Sequence, residues 1–130
     1  MGMRVVVVAA ALTLLTIGRP ALAHHSANAE FDTTKHFTLT GTLTKLEIVN
    51  PHSWWYLDVK NADGSVTHWR LESISPAGLI RQGLKVKDDL KLGQEYKFTC
   101  APSWKDPDGY KLAHMLSVFY NGKEYVLSEI

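Results

Sequence analysis

The sequence has 130 residues, of which 45% are apolar and four are tryptophan, with a formal charge of +1 and a single cysteine, Cys100. So small a charge gives no electrostatic reason to expect nucleic acid or an anionic membrane surface as a partner, and one thiol cannot close an intrachain disulfide. Stability must come from an apolar core, and the length suits a single domain.

Residues 1–23 have the three-part layout of a cleavable secretory signal. Arg4 supplies a basic start, residues 5–17 form an apolar run, Gly18 and Pro20 break the helix, and Ala21, Leu22 and Ala23 form a small-x-small cleavage site. The run is shorter than the roughly 20 residues of a spanning helix. Cleavage after Ala23, no membrane span afterwards and a periplasmic or secreted destination are therefore expected. Processing would leave 107 residues starting at His24 and, by removing Arg4 and Arg19 but no acid, bring the charge to −1.

Residues 24–36 read as a polar, irregular arm. Residues 37–49 alternate apolar side chains with threonine: Phe37, Leu39 and Leu43 share one parity and Leu46 and Ile48 the other, so a bulge near Lys45 is expected. Asn50 and Pro51 end that strand. A second strand over 53–60 and a third over 65–72 flank the turn residues Asn61, Asp63 and Gly64. Pro76 opens a short helix with Ser75 as N-cap and Gly83 as C-cap. Strands over 94–101 and 109–120 follow, and Asn121 and Gly122 signal a hairpin into 123–127. The order predicts an all-β fold with one short helix: a small five-stranded barrel of the oligonucleotide/oligosaccharide-binding (OB) type over 37–130, the helix between its third and fourth strands, plus a C-terminal hairpin. A small open sandwich is the alternative.

Strand periodicity sorts the faces. Trp55, Leu57 and Val59, with Trp69 and Leu71, form the natural core. The opposite faces of the second and third strands merge into a surface carrying His52, Trp54, Tyr56, His68 and Arg70. Trp54, Tyr56, His68 and Arg70 would bind a small molecule or glycan by stacking and hydrogen bonding, unless the arm or the C-terminal hairpin covers Trp54 and Tyr56. Cys100 shares parity with Tyr96 and Phe98 and reads as a buried filler.

Cleavage after Ala23 would free an α-amine on His24. Amine and imidazole of one terminal histidine chelate a metal together, and a further imidazole completes a nitrogen-rich planar set that suits Cu(II). His24 and His25 are thus candidate ligands, with His52 or His114 completing the site; zinc is the lesser option. His114 is in phase with Leu112, Leu116 and Val118, as a core histidine or one facing a site at the barrel's edge. The competing explanation is a frayed polar terminus that binds nothing.

The sequence Ala23-His24-His25-Ser26, with Glu30, Phe31 and Asp32, the stretch from Leu39 to Glu47, and Val49-Asn50-Pro51-His52 before Trp54 resembles small exported bacterial proteins grouped as domain of unknown function 6152. Gly78 to Gly83 and Leu90 to Gln94 are similar to that family's helix and following turn. The resemblance covers the expected mature chain and implies a periplasmic β-barrel without an assigned reaction or cofactor. Residues 106–109 stand where the family has a longer loop.

A catalytic constellation is missing from the pattern. Ser26 and Ser53 lie in no nucleophile-elbow context, Asp58, Asp63 and Glu72 show no paired spacing, and Gly78 and Gly83 form no phosphate loop. Binding is the expected role: a metal ion first, a small ligand second, and third an exported protein partner pairing with an open barrel edge.

Overall fold

A computed structural model of the chain describes residues 27–107 and 109–128; the expected leader, its cleavage point, His24 and His25 lie outside the described residues. In the described part the elements run α1 (Ala27–Glu30), β1 (Phe37–Glu47), β2 (Trp54–Lys60), β3 (Val66–Glu72), α2 (Pro76–Arg81), α3 (Val86–Asp89), β4 (Glu95–Pro102), β5 (Lys111–Tyr120) and β6 (Lys123–Val126). The sheet order is β3-β2-β1-β4-β5-β6, and an added β3–β5 pairing closes five strands into a barrel that leaves β6 as an extra strand. This is the expected small all-β barrel, with the helical segment between the third and fourth strands.

The threonine-rich β1 serves two neighbours. Its first half pairs with β4, from Phe37 opposite Cys100 to Thr42 opposite Glu95. Its second half pairs with β2, and the register slips between Leu43 and Lys45. That slip is the bulge anticipated from the phase change, and the extra residue turns the strand so that its apolar side chains keep facing inward. Gly41, two residues before that slip, lies close against β2: a Cβ there would lie 2.9 Å from Val59 Cγ2 and 3.1 Å from the Asp58 carbonyl.

Inside the barrel, Leu43, Trp55, Leu57, Leu71, Phe98, Met115 and Val118 are fully buried, with Trp55 edge-on to Phe98 at 6.1 Å. Each such side chain contributes about 1.5–3 kcal/mol by leaving water. Leu79 of α2, Leu84, Val86 of α3 and Leu90 join the same core. The Ser75 hydroxyl accepts from the Gly78 N–H at 3.1 Å and Pro76 opens the helix, as the capping signals predicted.

Several expectations need correction. Among the described residues three short helices stand where one was predicted, because four-residue helices such as α1 and α3 are too brief to leave a periodic signal. β1 stops at Glu47 rather than 49, and β5 starts at Lys111 rather than 109. The arm is tied down: Phe31 is 1% exposed and bridges Ser103, Asp32 N–H donates to Pro102 O at 2.8 Å, and Trp104 N–H donates to Glu30 O at 3.0 Å. Phe31, the one large apolar side chain of residues 24–36, is buried where the arm docks. Val118 does not share a face with His114, because a register slip between Thr99 and Cys100 switches the phase of β5. Ala113, Met115 and Val118 are in the core, while His114 lies on the outer side, buried by other segments. Among the described residues no helix is long and apolar enough to cross a membrane.

Candidate functional site

Hairpin register fixes one end of the outer surface. Trp54 pairs with Glu47 on one side and with Glu72 on the other, and Glu72 pairs with His114 through the parallel β3–β5 closure. Paired residues point to the same side of a sheet, so Glu47, Trp54, Glu72 and His114 form one row across four strands. His52 stands two residues before Trp54, just outside β2. The chain there is anchored by Ser53, which is fully buried: its hydroxyl donates to Ile74 O at 2.8 Å and its carbonyl accepts from Ser73 N–H at 2.8 Å. Ser53 is thus a structural tether.

The outcome is a convergence of three polar side chains. Glu72 Oε1 lies 3.5 Å from His52 Nδ1 and 3.6 Å from His114 Nδ1. Both separations exceed a hydrogen bond, and among the described residues His114 Nδ1 has no hydrogen-bond partner although it is buried. The other nitrogen of that ring, Nε2, is 3.0 Å from Ser128 Oγ, and the Phe31 ring covers the imidazole at a centroid distance of 5.2 Å. His114 is 7% exposed and Glu72 8%, whereas the side chain of His52 is 42% exposed. A cleft of about 290 Å³ opens onto His52, Trp54 and Glu72, walled by Val49, Asn50, Pro51 and by Glu30 from the end of α1. Among the described residues no group of three His, Cys, Asp or Glu is closed around a point that could hold a metal ion. The described residues bring His52 and His114 to one carboxylate, and the partners expected from His24 and His25 lie outside them.

The aromatic surface lies next to this row. Tyr56 pairs with Arg70, and Asp58 with His68, so Trp54, Tyr56, His68 and Arg70 share a face as expected. Among the described residues these side chains occupy each other. The Arg70 guanidinium stacks 3.8 Å from the Trp54 ring centroid. Lys45 and Tyr110 clasp the Tyr56 ring at 4.9 Å and 5.5 Å, and the Tyr56 hydroxyl donates to Glu47 Oε2 at 3.1 Å. Burial lifts the Tyr56 phenol above its ordinary value against the pull of Arg70, while the Lys45 ammonium holds Glu47 below the usual carboxylate range. His68 Nδ1 sits 2.6 Å from Asp58.

Glu72, Ser128 and Phe31 are the site residues that sequence reasoning missed. Counting the register back from the 61–64 turn places Glu72 opposite Trp54, a signal that was present. The approach of Ser128 to His114 depends on where the chain goes after β6, which no local pattern encodes. His36 lines a separate groove with Thr99, Leu116 and Glu124. A larger groove of about 400 Å³ between Ile48 and the helical segment is mostly apolar, lined by Leu79, Ile80, Leu84 and Val86, and holds no imidazole.

No curated protein matches the chain. The model of a family of unknown function, DUF6152, matches residues 10–110, a span that takes in α1, the whole of β1 to β4, His52 and Glu72. The chain belongs to that family.

Proposed function

We propose that this chain is exported, cut after Ala23, and acts as a periplasmic or secreted module that holds a transition-metal ion, copper foremost. His24 supplies its freed amine and imidazole, His25 assists, and His52 and His114 join from the barrel. The observation that supports this reading is the Nδ1 of His114, buried and without a hydrogen-bond partner among the described residues, which lies with His52 beside the Glu72 carboxylate. Polar atoms buried without partners are rare in folded proteins and ask for an explanation such as an ion. The terminus is within reach. Glu30 lines the cleft, and His24 stands six residues before it in the sequence, a length of chain that spans at most about 20 Å.

The second reading, a glycan or small-ligand platform, has less support. Stacking needs a free ring face, and Arg70 already lies on that of Trp54.

The test is a Cu(II) titration of the processed protein, its first residue verified by intact mass, against a version with one extra residue before His24. Tight binding that weakens sharply in the extended version supports the proposal. Equal affinity in both removes His24 from the site, and no binding in either removes the metal.

A further inference from the structure

Independently of the metal, we propose that Trp104 and the arm beside it form a carbohydrate subsite, in which the exposed indole stacks on the C–H face of a pyranose ring and Asn28, Asp32, Thr33 and Lys35 bond its hydroxyls.

The first observation is what lies on each outward aromatic ring. Arg70 lies over Trp54, Phe37 and Lys111 pack on Trp69, Tyr110 and Lys45 on Tyr56, and Tyr120 and Lys123 on Tyr125. Among the described residues no ring or cation stacks on Trp104, which is 62% exposed. A single exposed apolar side chain is ordinary, but this one is also fixed in place. Its backbone N–H donates to Glu30 O and its Nε1–H to Asn28 O, both at 3.0 Å. The second bond lies in the plane of the ring and holds the indole by its edge, so stacking does not have to order it first.

A groove of about 520 Å³ opens against that ring, a size within the range of small-molecule sites. Apart from Trp104 and the buried Phe31, its walls are polar and come from one short stretch of the arm. The Thr33 hydroxyl donates to Asn28 Oδ1 at 2.5 Å, which leaves the Asn28 amide N–H groups and the threonine lone pairs for a ligand. Asp32 Oδ1 accepts from the Thr34 N–H and hydroxyl, while Oδ2 faces Lys35 Nζ at 3.2 Å. That ammonium carries three N–H donors on a side chain 73% exposed, so it has donors to spare.

This mixture decides the class of ligand. Sugar hydroxyls both donate and accept, and they match a rim that sets amide and ammonium donors beside hydroxyl and carboxylate acceptors. The C–H face of a pyranose matches the indole. An anion fits worse, because the Asp32 carboxylate already faces the ammonium. A flat aromatic molecule would use the ring and leave the polar rim idle. The groove shares no lining residue with the cleft at His52, so the two readings stand or fall separately.

The experiment titrates the processed protein with chitotriose, cellotriose and maltotriose, and with indole-3-acetate as the flat aromatic probe. The Trp104 indole N–H is followed by heteronuclear NMR, and affinity is read from the signals of each added molecule so that variants without the indole can be compared. At least one trisaccharide should bind with a millimolar or tighter Kd and shift the Trp104 signal. Trp104→Ala should weaken that binding by about tenfold, Trp104→Phe, which keeps a stacking ring, should weaken it less, and Lys35→Ala should weaken it by about threefold. Absence of binding by all three trisaccharides, binding that leaves the Trp104 signal in place, or wild-type affinity in Trp104→Ala overturns the proposal. Tighter binding of indole-3-acetate than of every trisaccharide at the same signal also overturns it. Lys35→Ala, whose side chain makes none of the bonds that dock the arm, carries the test if Trp104→Ala does not hold the arm in place.

Discussion

Phe31→Ala tests whether the arm is built into the fold. Phe31 is 1% exposed, bridges Ser103 and packs on the His114 ring at 5.2 Å. Replacing a buried phenylalanine by alanine in a closed core destabilises by about 3–5 kcal/mol, and simple loss of burial by about 1.5–3 kcal/mol. The smaller figure governs here, because the arm can release instead of leaving a cavity beneath it. Release also breaks the bonds from Asp32 N–H to Pro102 O, from Trp104 N–H to Glu30 O and from Trp104 Nε1 to Asn28 O. We expect a loss of about 2–3 kcal/mol in urea unfolding, roughly 10–15 °C in Tm for a domain of this size. Amide exchange at Asp32 and Trp104 should accelerate far more than in β1 or β4. A destabilisation below about 0.5 kcal/mol with unchanged protection of those two amides would refute the docking argument, and with it the route by which the terminus reaches the cleft.

Three other outcomes follow from the same coordinates. Gly41→Ala should destabilise by about 1–3 kcal/mol, since its Cβ would meet Val59 Cγ2 at 2.9 Å and the immovable Asp58 carbonyl at 3.1 Å; a wild-type denaturation midpoint would contradict this. Burial pushes the Cys100 thiol well above the ordinary thiol range, so an aromatic disulfide reagent at pH 8 should label it only at the rate of unfolding, and prompt labelling would contradict its place in the core. The Asp32 carboxyl is held below its ordinary value of 3.8 by the Thr34 hydroxyl and by Lys35. A depressed folded value means the stabilisation is complete above the unfolded value and lost as pH falls through the folded one. Exchange at the Thr34 amide should therefore quicken below about pH 4 and become pH-flat in Asp32→Asn, once intrinsic exchange is corrected.

The barrel was legible because its determinants are local. Alternation in 37–49 marks a strand and the change of parity marks the bulge; Asn61 to Gly64 and Asn121 to Gly122 mark hairpins; Ser75 and Pro76 mark a helix start. What could not be read depends on closure. The parallel β3–β5 pairing sets Glu72 beside His114, and the slip at Thr99 and Cys100 turns His114 outward from the core. Both connect residues far apart in the chain, so no window of sequence contains them. The platform of Trp54, Tyr56, His68 and Arg70 was placed on the correct face, yet its mutual occupation by Arg70, Lys45 and Tyr110 depends on side-chain packing that periodicity does not describe.

The account depends on an ion being held between the folded barrel and a histidine terminus. Metal analysis of the protein recovered from its own exported compartment, beside His114→Ala prepared in the same way, addresses that most directly. Stoichiometric copper in a wild-type chain whose mass begins at His24, reduced sharply in the variant, is the predicted result. A wild-type chain that carries no transition metal, or a variant that carries as much as wild type, would contradict it.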